Sequence, residues 1–89
     1  MQEQINAVLI HPSDNVAVAI REIQPGEAIL GLKQKISARQ NIPRNHKVAL
    51  VEISIGAKII KYGETIGIAI QGIEPGDWVH THNLKAEEI

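Results

Sequence analysis

The chain has 89 residues, a formal net charge of -1 and no cysteine, which leaves room for one small domain and excludes disulfides, thiolate metal sites and a thiol nucleophile. Nine Lys and Arg against ten Asp and Glu, with one Trp, one Tyr and no Phe, provide neither a basic track for phosphates nor a stacking platform for bases, which argues against nucleic-acid binding. No stretch nears the roughly eighteen apolar residues that span a bilayer, and Met1-Gln2-Glu3-Gln4 lacks the basic and apolar parts of a leader, so no membrane association and a cytoplasmic location are expected.

Aliphatic and β-branched residues dominate the apolar 44% of the chain, which favours pleated strands over helices. Ala7-Val8-Leu9-Ile10 is the first predicted strand. His11-Pro12-Ser13-Asp14-Asn15 then reads as a turn, since Pro, Ser, Asp and Asn hold turns with their rings and side chains. Val16-Ala17-Val18-Ala19-Ile20 is the second strand, and Pro25-Gly26 turns the chain after it. A turn or two of helix is expected near 37–40. Ile42-Pro43-Arg44-Asn45 forms a loop whose mouth carries His46 and Lys47, ahead of the strand Lys47-Val48-Ala49-Leu50-Val51. Further strands are predicted at Lys58-Ile59-Ile60-Lys61 and Ile66-Gly67-Ile68-Ala69-Ile70, joined through Tyr62-Gly63. Lys61 has the charge to pair with a carboxylate and Tyr62 the hydroxyl to bond one, while a solvated Lys and a half-buried Tyr are the plain alternative. The end, 84–89, reads as a polar tail, with helical character in Lys85-Ala86-Glu87-Glu88.

One unit recurs three times: Ala19-Ile20-x-x-Ile23-x-x-Gly26-x-x-Ile29, Ala49-Leu50-x-x-Ile53-x-x-Gly56-x-x-Ile59, and Ala69-Ile70-x-x-Ile73-x-x-Gly76-x-x-Val79. It describes a strand, a bend anchored by Ile, a Gly that turns the chain and a second strand. Spacings of thirty and then twenty residues argue against a solenoid and for one compact, mainly β domain that reuses the same bend.

His80-Thr81-His82-Asn83 is the most chemical stretch. On a strand, His80 and His82 would project from one face, a spacing that suits two ligands of one metal ion. The plainer reading is an exposed polar chain end, and further ligands would have to come from Asp14, Glu74, Asp77 or His46. No phosphate cradle, nucleophile elbow or paired-carboxylate motif is present.

The order of Asp14-Asn15-Val16-Ala17-Val18-Ala19, His46-Lys47-Val48-Ala49-Leu50, Ile60-Lys61-Tyr62-Gly63 with Ile66-Gly67, and Val79-His80-Thr81-His82-Asn83 resembles the N-terminal domain of altronate and galactarate dehydratases. The resemblance implies a SAF domain of compact β-clip type with short helical turns over 1–84, and a polar tail at 85–89. Such domains are fused to a large catalytic domain or form a separate small subunit, as in sulfolactate sulfo-lyase. A chain ending soon after Asn83 resembles the second form, so a large catalytic dehydratase subunit is the expected partner.

Family members remove water from a hydroxy acid with a divalent metal, usually iron or manganese. The resemblance therefore implies a sugar acid as substrate and such a metal in the assembled enzyme. Carried onto this chain, it implies His80, His82 and His46 as catalytic groups, His80 and His82 as metal ligands, and Lys47, Lys61, Tyr62, Asn83 and Asn15 as substrate-binding groups. The chemistry would remove a proton beside a carboxylate, hold the resulting enediolate with cations and release the β-hydroxyl. The family usually has Gly before the His-Lys pair and His two residues before the final motif's first His; this chain has Asn45 and Trp78. Asn tolerates the left-handed backbone that Gly would supply, whereas Trp78 removes a possible ligand. The competing expectation is a stand-alone SAF module that binds a carbohydrate or protein without catalysis.

Overall fold

A computed structural model describes residues 4–86. It contains nine short strands among these residues: β1 (Ala7–Val8), β2 (Val16–Ala19), β3 (Ala28–Ile29), β4 (Ile36–Ser37), β5 (Lys47–Ala49), β6 (Lys58–Lys61), β7 (Glu64–Ala69), β8 (Trp78–Val79) and β9 (Leu84–Ala86). All pairings are antiparallel. They build a four-stranded sheet in the order β1-β2-β5-β8, a β3-β4 hairpin and a three-stranded sheet in the order β6-β7-β9. The mainly β class expected from composition is what the chain adopts.

The recurring bend is the organising device, and there are four copies of it. Each Ile sits at an isolated bridge, Ile23 with Ile42 and Ile53 with Ile73, and exchanges two backbone hydrogen bonds of 2.8–2.9 Å with its partner. The copy missed in sequence is Ala38-x-x-x-Ile42-x-x-Asn45-x-x-Val48. It escaped notice because Arg39 replaces the aliphatic second residue and Asn45 stands where the others have Gly. The backbone requirement is the same in all four, with φ of 82° at Gly26, 70° at Asn45, 85° at Gly56 and 91° at Gly76. Asn is the side chain that accepts this left-handed region most readily.

The copies work in two reciprocal pairs. Gly26 N donates to Ala38 O at 2.7 Å and Asn45 N to Ala19 O at 2.7 Å; Gly56 N donates to Ala69 O at 2.8 Å and Gly76 N to Ala49 O at 2.9 Å. Each pair closes over its own hydrophobic cluster. Ala19, Ile23, Ile29, Ala38, Ile42 and Val48 belong to one, and Ala49, Ile53, Ile59, Ala69, Ile73 and Val79 to the other. Full burial of an Ile contributes about 1.5–3 kcal/mol, so the four corner isoleucines anchor both halves. The domain is therefore a doubled half-unit, with small Ala at the places where two backbones cross.

Side chains cap the corners. Glu27 Oε1 accepts from Gln24 N at 2.9 Å, and its other oxygen pairs with Arg21 Nη1 at 2.8 Å. The Gln24 amide and then Arg21 hold the Glu27 carboxyl below its ordinary 4.5. A depressed carboxylate contributes stability above the unfolded value that is lost as pH falls through the folded one. Urea-unfolding midpoints should therefore drop on acidification below pH 4.5. Glu27→Gln should make that drop shallower, and an identical acid profile for the variant would refute the capping role.

Two sequence expectations need correction. The helical turn near 37–40 is absent: Ile36–Ser37 is β4, and Ala38 sends its N to Glu27 O and receives Gly26 N. Those groups are taken by another chain segment, so none is left for a local helix. The tail expected after 84 also begins as structure. Leu84–Ala86 forms β9 on the edge of β7, where Gly67 lets the Lys85 carbonyl approach closer than any Cβ would allow. Glu87, Glu88 and Ile89 lie outside the described residues.

Candidate functional site

The β5–β8 pairing builds the site. Its register sets Lys47 opposite Val79 and Val48 opposite Trp78, which carries His46 to the place facing His80. The two imidazole centroids are 4.7 Å apart. Trp78 lies between the histidines: its ring is stacked on His80 at 5.4 Å and 7°, tilted against His82 at 5.0 Å, and its Nε1 donates to His46 Nδ1 at 3.1 Å.

His80 and His82 reach this cluster differently from the strand alternation expected in sequence. The strand stops at Val79, and 80–83 is a turn, with Asn83 N donating to His80 O at 3.1 Å. Asn83 is buried; its Oδ1 accepts from His80 N at 2.9 Å and its Nδ2 donates to Trp78 O at 2.8 Å. This amide thus holds the loop that displays the two histidines. Asn15 does the same for β6: Oδ1 accepts from Ile60 N at 2.8 Å and Nδ2 donates to Lys58 O at 2.9 Å.

The charged members converge on the same place. Burial first, and the nearby Lys61 charge second, lower the Lys47 pKa. Desolvation, then His46, Lys47 and His82, push His80 below its ordinary 6.5. Lys61 extends its Nζ to 4.9 Å from the Tyr62 ring centroid. The described ion pairs, Arg21–Glu27 and Arg39–Asp77, involve neither Lys47 nor Lys61.

Tyr62 and Gly63 form the two-residue β6–β7 turn with φ of 60° and 73°, the geometry of a type I′ hairpin. The Asp14 carboxylate fixes that turn, accepting from Tyr62 N at 3.1 Å, Gly63 N at 2.8 Å and His11 N at 3.1 Å. Thus the sequence expectation of a turn at 11–15 holds, and its carboxylate serves a second turn far along the chain. A separate groove of about 530 Å³ lies within the β3–β4 hairpin, lined by residues 28–37, and contains none of the clustered groups.

His46, Lys47, Lys61, His80 and His82 are therefore brought together, with Tyr62 beside Lys61. What sequence reading missed was Trp78, taken only as a lost ligand; its place two residues before His80 was the available signal. The arrangement offers a proton-accepting imidazole, an N–H donor and two ammonium groups that no carboxylate pairs among the described residues. Among the described residues, no three His, Asp or Glu are placed to hold a metal ion. The two histidines alone do not make a complete centre for the expected iron or manganese.

Comparison with known proteins covers nearly the whole chain. The family model described as the altronate/galactarate dehydratase SAF domain matches residues 5–87. Altronate dehydratase of Escherichia coli is 42% identical over 78 residues, 88% of this chain and 16% of that protein. Galactarate dehydratase (L-threo-forming) of the same organism is 35% identical over 72 residues, 81% of this chain and 14% of that protein. The (2R)-sulfolactate sulfo-lyase subunit alpha of Paracoccus pantotrophus is 43% identical over 53 residues, 60% of this chain and 79% of that protein. The chain thus spans about a sixth of the length of the dehydratases it matches. No helix among the described residues is long and apolar enough to cross a membrane.

Proposed function

The chain belongs to the altronate/galactarate dehydratase SAF family, and on that premise we propose that it is the small, N-terminal-type part of a lyase that dehydrates a sugar acid such as altronate or galactarate. It contributes imidazole and ammonium groups to a site that a large catalytic dehydratase subunit completes. The observation that carries this reading is the meeting of three imidazoles with two lysines that no carboxylate pairs among the described residues. An anionic substrate supplies the missing counter-charge.

Each group has work that suits its surroundings. Lys47 and Lys61 hold the substrate carboxylate and the negative charge that builds on it when the neighbouring carbon loses its proton. Tyr62 adds a hydroxyl next to Lys61. His80, whose imidazolium form is disfavoured by desolvation and by its cationic neighbours, is the proton acceptor, with its unprotonated ring available to substrate, and His46 presents an N–H donor beside it. His82, the exposed member of the cluster, faces the space that the large subunit would close. The enol left by loss of water becomes a 2-keto acid. The divalent metal is proposed for the assembled enzyme, with ligands beyond His80 and His82 supplied from outside this chain.

The test is reconstitution. The chain alone should release no water from altronate or galactarate, and its stoichiometric complex with the large lyase subunit should form one keto acid per sugar acid consumed. A large subunit equally active without the chain would overturn the composite site. Carbohydrate binding by the chain alone, with no lyase partner recovered, would favour the stand-alone module.

A further inference from the structure

Trp78 stands on a backbone fixed from three sides. Its backbone N donates to Gln40 Oε1 at 2.7 Å, its carbonyl accepts from Asn83 Nδ2 at 2.8 Å, and it sits in the β5–β8 ladder opposite Val48. From that fixed base the indole Nε1 donates to His46 Nδ1 at 3.1 Å. An indole nitrogen can only donate, so His46 Nδ1 must be the unprotonated acceptor and its ring proton must be on Nε2. Ring geometry sends that Nε2–H to the side away from the indole. The indole face meanwhile lies 7° from parallel with His80.

We propose that Trp78 is a positioning residue: it holds His46 as the Nε2–H tautomer and sets His80 parallel to its own indole, so that the site presents one defined donor and one defined ring instead of two freely turning imidazoles. Its use in turnover rests on the lyase reading; its geometry does not. The saving is entropic, because two imidazoles ordered before substrate arrives need not be ordered on binding.

Long-range ¹H–¹⁵N correlation spectra of the 89-residue chain, recorded above the ordinary imidazole range, show which ring nitrogen carries the proton. His46 should show a protonated Nε2 and an acceptor Nδ1. Replacing Trp78 by benzothienylalanine keeps the bicyclic outline but puts sulfur where the N–H was. His46 should then become a tautomer mixture while the ring-current shifts on His80 persist, which a purely structural Trp would not produce. In the active complex the same replacement should lower kcat about 10-fold with KM unchanged, the scale of one lost hydrogen bond.

A natural chain whose His46 proton sits on Nδ1, or a tautomer indifferent to the sulfur isostere, overturns the proposal. So does an active complex whose kcat ignores the isostere. If the tautomer behaves as stated in a chain that joins no lyase, the positioning geometry stands and the functional reading alone fails.

Discussion

Reconstituted with its large subunit, the chain carrying His80→Ala and His82→Ala is expected to fold and assemble while lyase turnover falls about 10³-fold, the scale of losing an acid–base group. Folding should survive because the turn at 80–83 is held by Asn83, whose amide bonds the backbone of His80 and Trp78 and ignores the imidazoles. Assembly is read by co-elution and folding by the urea midpoint, so the kinetic loss can be assigned to missing groups. Most of it should fall on kcat, since Lys47 and Lys61 still hold the carboxylate. Full turnover by the double variant would remove both histidines from the chemistry, and a large rise in KM alone would make them binding groups.

Gly76→Ala should be the most damaging single-methyl change in the fold, at about 4 kcal/mol, when left-handed strain and backbone displacement are added. Gly26→Ala is its control. Both glycines have positive φ, 91° and 82°, so both variants carry the left-handed penalty of about 1–2 kcal/mol. A Cβ at Gly26 meets nothing within 4 Å, whereas one at Gly76 runs into the Ser37 carbonyl. Arg39 N also donates to Gly76 O at 2.9 Å, and Arg39 Nη1 to Asp77 at 3.0 Å, so the β3–β4 hairpin cannot shift away without breaking these bonds. Denaturant unfolding of the two variants decides the matter: equal losses would show that the crossing at Ser37 yields and that the close approach adds nothing. Gly26→Asn should come nearest to neutral, as Asn45 already occupies the equivalent place.

Much of the architecture was legible because its signals are local. Short continuous apolar runs mark β2, β5 and β7, and Pro-Gly or Gly mark three of the corners, since only a few residue types tolerate the backbone needed there. The fourth corner was not legible, because Arg39 and Asn45 break the pattern, and the bridge from Ile42 to Ile23 reveals it. The short helix expected near 37–40 was lost because the backbone groups of Ala38 bond across to Gly26 and Glu27, partners that no window of sequence contains.

The site divides in the same way. The residue order alone gives the inventory: the His80/His82 pair, lysines at strand ends, the turn-forming Asp14, and no cysteine. Motif order alone also determined the family resemblance, because order is a property of the chain. That His46 meets His80, and that Lys61 lies close enough to perturb Lys47, follows from tertiary pairing alone. The same pairing seats Trp78 among the histidines as a donor. Those meetings depend on the β5–β8 register and on a turn pinned by one buried amide. A shift of one residue in that register would turn His46 to the opposite face and dissolve the cluster while leaving every motif in the sequence unchanged.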